Sequence, residues 1–268
     1  MRMGVWSRAS LIALGAIFGV AAVETAAEAT PRYLWQKSAK PRRSTLADSM
    51  PVPNGFERIP VAPGSFAEWL RSLPMKPPGT PVRLYDGRLK WSQDKHVAVI
   101  DIDTGNRDLQ QCADAVMRLR AEYLLAAGRT RDIVFHDSNG KRMVFHGSEK
   151  NYSEFRRHMN RVFTYAGSYS LARELRPVPI ADIQIGDVFI QGGFPGHAVL
   201  VVDMAISRAG RDKTFLLMQS FMPAQDMHIL RNLKAADGSA WFRPPVPGGS
   251  LVTPEWIFPA KALRRFKE

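Results

Sequence analysis

The chain has 268 residues, 45% of them hydrophobic, and 37 Lys and Arg against 25 Asp and Glu give a formal net charge of +12. That hydrophobic share is ordinary for a globular protein and supports a real core. The single cysteine, Cys112, excludes an internal disulfide and a structural thiolate zinc site.

Arg2 and Arg8 flank the start of an apolar run at residues 11–23, and Ala27-Glu28-Ala29 offers a cleavage site before Thr30. This is the pattern of a secretory signal peptide, expected over 1–29. The run is shorter than the about 20 residues of a membrane span. We therefore expect an exported chain, periplasmic or extracellular. There a basic protein is drawn to anionic envelope surfaces, and nucleic acid is not an expected partner.

Residues 30–54, with Pro31, Pro41, Pro51, Pro53 and a basic cluster at Lys37, Lys40, Arg42 and Arg43, read as a linker. One folded domain is expected over 55–268. Ser65 and Glu68 form a capping-box pattern ahead of a short helix at 66–73. HVAVIDI at 96–102 alternates and reads as a strand. Asp108 is the expected N-cap of a helix running to Ala127, with Gly128 as its stop. Residues 132–137 and 142–147 flank Asn139-Gly140 and predict a hairpin, on which His136 and His146 are expected to face each other. Helices are expected at 151–165 and 170–177. Strands follow at 187–191, 197–203 and 213–219, antiparallel because their connections are short. Beyond residue 220 the chain is irregular, yet Trp241, Phe242, Trp256 and Phe258 require it to pack.

The chemistry rests on Cys112 and His197. A thiol at a helix start feels the positive end of the helix dipole and unpaired N–H groups, both of which favour a thiolate. His197 follows a glycine and opens an apolar strand. A hairpin of 197–203 with 213–219, turning near 208, sets His197 opposite Gln219 or its neighbour Ser220. A side-chain amide there would fix the imidazole tautomer, the orienting role of a triad's third member. The expected catalytic set is Cys112, His197 and Gln219, with the Cys112 backbone N–H in the oxyanion site. The GGFPG connection, with Gly193 and Gly196, leaves room for substrate. Gln111 and Gln225 are candidate substrate contacts, and Asp226 and His228 lie near them in sequence. The six histidines show no H-E-x-x-H or similar spacing, and no phosphate loop or dinucleotide fingerprint occurs, so neither metal nor cofactor is expected. The competing reading makes Cys112 a small core residue in a non-catalytic envelope-binding protein.

The run IADIQIGDVFIQGGFPGHAVLVVDM resembles the second half of NlpC-like cysteine peptidases of the papain-like group. In those proteins Gly-Asp begins one strand, Gly-His or Ser-His begins the next, and the nucleophile opens an earlier helix. The resemblance implies an α+β papain-like fold, an antiparallel sheet with the nucleophile helix packed on it. It also implies hydrolysis of a peptide or amide bond, with an envelope, cell-wall-derived peptide as substrate. The chain departs from the pattern in having Gln111 before the cysteine and Ala113-Asp114-Ala115 after it. Four phrases, QCADAVMRLRAEYL, VFTYAGSYSLARELRPV, IGDVFIQGGFPGHAVLVVDMA and QSFMPAQDMHIL, are similar to an exported bacterial family known only as a domain of unknown function (DUF4846).

Overall fold

The structure is a computed structural model that describes Met1 and residues 32–36, 44–236 and 238–267. The expected signal peptide lies outside the described residues, Met1 apart, as does part of the expected linker. In chain order the first elements are α1 (Leu46–Ser49), β1 (Phe56–Arg58), α2 (Phe66–Arg71), β2 (His96–Val99) and α3 (Cys112–Ala126). Next come β3 (Val134–His136), β4 (Arg142–Val144), α4 (Tyr152–Tyr165), α5 (Ser168–Glu174) and β5 (Arg176–Pro177). The remainder is β6 (Val188–Gln191), β7 (His197–Ser207), β8 (Lys213–Gln219), β9 (His228–Leu230), β10 (Ser250–Val252), β11 (Ile257–Pro259) and β12 (Leu263–Arg265).

The class is mixed α and β, built on one antiparallel sheet of eight strands in the order β2-β9-β8-β7-β6-β12-β5, with β1 added to β7. The three strands expected from short connections, β6, β7 and β8, are antiparallel neighbours at its centre. β7 is longer than expected because its far end, past a register shift between Val201 and Asp203, pairs with β1 as well as β8. Asp203 is fully buried near this irregularity and is held by Arg58 Nε at 2.8 Å and Arg71 Nε at 2.7 Å. Such a charge is tolerable inside only because both partners reach it.

Alternate residues of β7 face two separate cores. Ala198, Leu200 and Val202 turn toward α3 and pack with Val116, Leu119 and Phe155. Val199 and Val201 turn the other way, onto Phe189, Phe215 and Phe258. A strand covered on both faces reads as a continuous apolar run, as HAVLVV does. Burying a side chain such as Phe258 fully contributes about 1.5–3 kcal/mol.

Several expected boundaries move. α3 begins at Cys112 with Gln111 as N-cap, not at Asp108. The Asp108 carboxylate instead accepts from Ala224 N at 2.7 Å and Gln111 Nε2 at 2.9 Å, so a tertiary contact recruits the residue that looked like a cap. His136 and His146 do not face each other: the β3–β4 register sets His136 against Arg142, and its ring lies 3.5 Å from Glu174. Residues 170–177 are not one helix, because α5 closes at Glu174 and β5 follows. Within the stretch read as linker, Leu46 is fully buried, and Tyr33 and Trp35 pack on Trp69 at 5.1 and 5.8 Å between ring centroids.

Candidate functional site

Cys112 is the first residue of α3, a helix that lies across β7. Its start is anchored from below. Arg118, fully buried one and a half turns on, donates to Glu122 Oε1 (2.6 Å), Gln110 Oε1 (2.8 Å) and the Tyr152 hydroxyl (2.8 Å). Gln110 is thereby fixed, and its carbonyl lies 3.1 Å from the Ser220 hydroxyl at the end of β8. Ser220 also reaches the Gln225 carbonyl at 2.9 Å. The helix start is thus tied to the point where β8 leaves the sheet.

The strand separation that begins there leaves the backbone N–H of Ala198 pointing at the Cys112 thiol. The thiol is therefore one residue from His197 along β7. It is 7% exposed, and burial, with Asp114 adding its negative charge, pushes its pKa up to about 11. Asp114 sits buried in the same first turn. One carboxylate oxygen accepts from Gln111 N at 3.1 Å and the other has no partner. Burial raises its pKa well above the usual carboxylate range.

Cys112 forms part of the wall of a cleft of about 280 Å³ between the α3 start, α5 and the GGFPG connection. Gln111, Gly193 and Gly196 line it, together with Tyr169, Phe194 and Met222. Phe194, followed by a cis peptide to Pro195, is 97% exposed at the rim. Gly196 is required by space: a Cβ there would collide with Ser168 Oγ, with Gly193 O at 2.5 Å and with Gln191 O at 2.8 Å. Gln225 does not line the cleft. It is buried at a bridge to Leu84, and its amide nitrogen has no partner.

His197 and Gln219 meet on the opposite face of β7 from α3. The imidazole lies among Phe221, Trp256 and Phe258, with ring centroids at 4.9, 5.4 and 5.8 Å. No hydrogen bond joins it to Cys112. The register pairs Leu200 with Met218, so Gln219 lies across from Val199 and reaches His197 diagonally, with 3.0 Å between Nε2 and Oε1. Gln219, not Ser220, makes this contact.

The surrounding groups decide which nitrogen of His197 carries the proton. Glu255 is a carboxylate paired with Lys90 Nζ at 2.6 Å, both side chains about 95% buried. A carboxylate only accepts, so the Gln219 amide nitrogen, which contacts Glu255 Oε2, is the donor there. The same nitrogen lies 3.3 Å from His228 Nε2. That ring donates from Nδ1 to the Asp226 carbonyl at 2.8 Å, so its Nε2 accepts. Gln219 Oε1 is then turned to His197, whose Nε2 must be the protonated nitrogen. Nδ1 is left as the base. Burial pulls the His197 pKa down to about 4, against the Gln219 bond and Glu255, which raise it. His228 is pulled to about 3 by burial.

Sequence reasoning missed Lys90 and Glu255. They complete the network from positions 165 residues apart, and no local spacing marks either. The only available signal was chemical: PEWIF places an acid directly ahead of two aromatic residues that had to pack.

These features define an α+β protein whose central antiparallel sheet carries an ordered imidazole–amide–carboxylate chain, with a helix-start thiol at the sheet's end. The chain matches the family described as Domain of unknown function (4846) over residues 46–150 and 146–265, and it belongs to that family. Comparison with curated proteins and with solved structures gives no match.

Proposed function

We propose that the protein is an exported thiol hydrolase or transferase of papain-like type, acting on an amide or ester bond of a cell-envelope peptide. Cys112 is the nucleophile, His197 the base and Gln219 the residue that orients it. The observation that carries this reading is the Gln219 network, which leaves the basic nitrogen of His197 free on the residue next to the amide that touches the thiol. A buried histidine that served packing alone would not need its tautomer set from three further side chains. The thiol's place on the wall of an open cleft also supports it.

In this reading the resting pair is neutral, because burial raises the thiol pKa and lowers that of the imidazole. Because His197 is the first residue of β7, Sγ and Nδ1 meet around the end of the strand as substrate enters. Sγ then bonds to the carbonyl carbon while its proton passes to Nδ1. The negative charge on the carbonyl oxygen is met by the N–H groups that open α3. The imidazolium next protonates the leaving amine or alkoxide, and a thioester remains. Water, deprotonated by Nδ1, adds to the thioester carbon, the C–S bond breaks, and the released thiolate takes a proton back from the imidazolium.

A second reading is favoured by the low exposure of Cys112 and by the separate faces of the two side chains: a binding protein in which Cys112 is core. Iodoacetamide separates the two. The enzyme reading predicts alkylation of Cys112 in the native protein, at a rate that climbs with pH toward the raised thiol pKa. Alkylation only after denaturant is added would favour the binding protein.

A further inference from the structure

A second cleft, of about 490 Å³, lies between α4 and the residues that follow β4. Arg157, His158 and Arg161 line it from the helix, His146 and Phe145 from the strand side, with Glu154 also on the wall. Positions 157 and 161 are one turn apart, so both guanidiniums share a face. Both arginines are exposed, and among the described residues neither forms an ion pair. Arg157 has only a 3.5 Å contact with the Ser153 hydroxyl. Arg161 donates to His158 Nδ1 at 3.4 Å, which puts the proton of that ring on Nε2. His158 is 95% buried, and its Nε2 has no partner. A buried donor without an acceptor costs about 1–3 kcal/mol. Asn151 Nδ2 donates to Glu154 at 3.1 Å, and one carboxylate against two guanidiniums leaves the wall net positive.

We propose that this cleft binds a phosphate group through Arg157 and Arg161. Guanidinium forks match phosphate oxygens in pairs. The phosphate is either soluble or the head group of an anionic lipid. The site is separate from the Cys112 cleft and does not depend on the reading proposed for it.

The test uses the full chain in two arms at fixed ionic strength. In one, inorganic phosphate is titrated by calorimetry. In the other, flotation is measured with phosphatidylglycerol vesicles and with phosphatidylcholine vesicles. Each arm compares the wild type with Arg157→Gln/Arg161→Gln and with a charge-matched control, Arg208→Gln/Arg211→Gln, circular dichroism verifying the fold. Saturable phosphate binding, weakened about tenfold or more only in the first variant, supports a soluble ligand. Flotation with phosphatidylglycerol alone, lost only in the first variant, supports a lipid head group. Absence of both, or equal loss in the two variants, overturns the proposal.

Discussion

At the scale of single residues, the site is governed by burial. His197 and His228 are held neutral well below the ordinary histidine value of 6.5, at about 4 and about 3. Between those values and 6.5 the unfolded chain binds protons that the folded chain refuses. Each histidine therefore contributes stability above pH 6.5 that is lost as the pH falls toward its folded pKa. His228→Gln keeps an acceptor for Gln219 and removes one titration. Its urea midpoint should fall less steeply than that of the wild type as the pH drops below 6.5, and parallel curves would contradict the assignment. Asp114 acts on the thiol directly. Burial is the larger cause of the raised thiol pKa and the Asp114 charge the second. Asp114→Asn should move the alkylation profile of Cys112 to lower pH. An unmoved profile would mean that this charge is not felt at Sγ. The candidate pair His197 and Gln219 was legible because cross-strand pairing follows from two strands and a short turn. Glu255 and Lys90 were not, because nothing local ties them to the strands they serve.

Among the strands, the pairings legible in the sequence are between partners close in the chain. β6, β7 and β8 follow one another, and their spacing and apolar content fixed both type and pairing. The β3–β4 hairpin followed from Asn139-Gly140, with Gly140 at φ +85°. β9 and β12 were missed: each is three residues long, too short to show a periodicity, and β12 pairs far back in the chain, through Leu263 and Phe189. The true start of α3 was hidden for a related reason, since Asp108 answers to Ala224 rather than to the helix. The connection between β6 and β7 gives the prediction at this scale. Gly196→Ala forces a methyl against the Gly193 and Gln191 carbonyls and the Ser168 hydroxyl. Overpacking of this kind costs about 1–3 kcal/mol. A urea melt should show that loss, together with slower alkylation of Cys112 as the loop shifts over the cleft. Unchanged stability would mean that the connection moves freely.

Across the whole molecule, the folded unit reaches back before the expected domain boundary. The Tyr33 hydroxyl donates to the Trp69 carbonyl and Trp35 Nε1 to the Asp101 carbonyl, each at 2.8 Å. A chain starting at residue 44 should be less stable than one starting at residue 30, by about 0.5–1.5 kcal/mol for each lost aromatic pair beyond the area it uncovers. Equal melting temperatures would show that this segment only rests on the surface. The two cores also explain why one sheet can carry separate tasks on its two faces: the helix-start thiol reaches the sheet from one, and the imidazole network is built on the other. Function in this reading requires them to meet at the open end of β7.

That meeting is tested most directly by mixing the native protein with p-nitrophenyl acetate, following the burst of nitrophenolate and locating the acetyl group by mass spectrometry. One acetyl group is expected on Cys112 in the wild type, forming about 10²–10⁴-fold more slowly in His197→Ala, the range of a lost general base. Acetylation confined to lysines, or a Cys112 rate unchanged by the loss of His197, would contradict it.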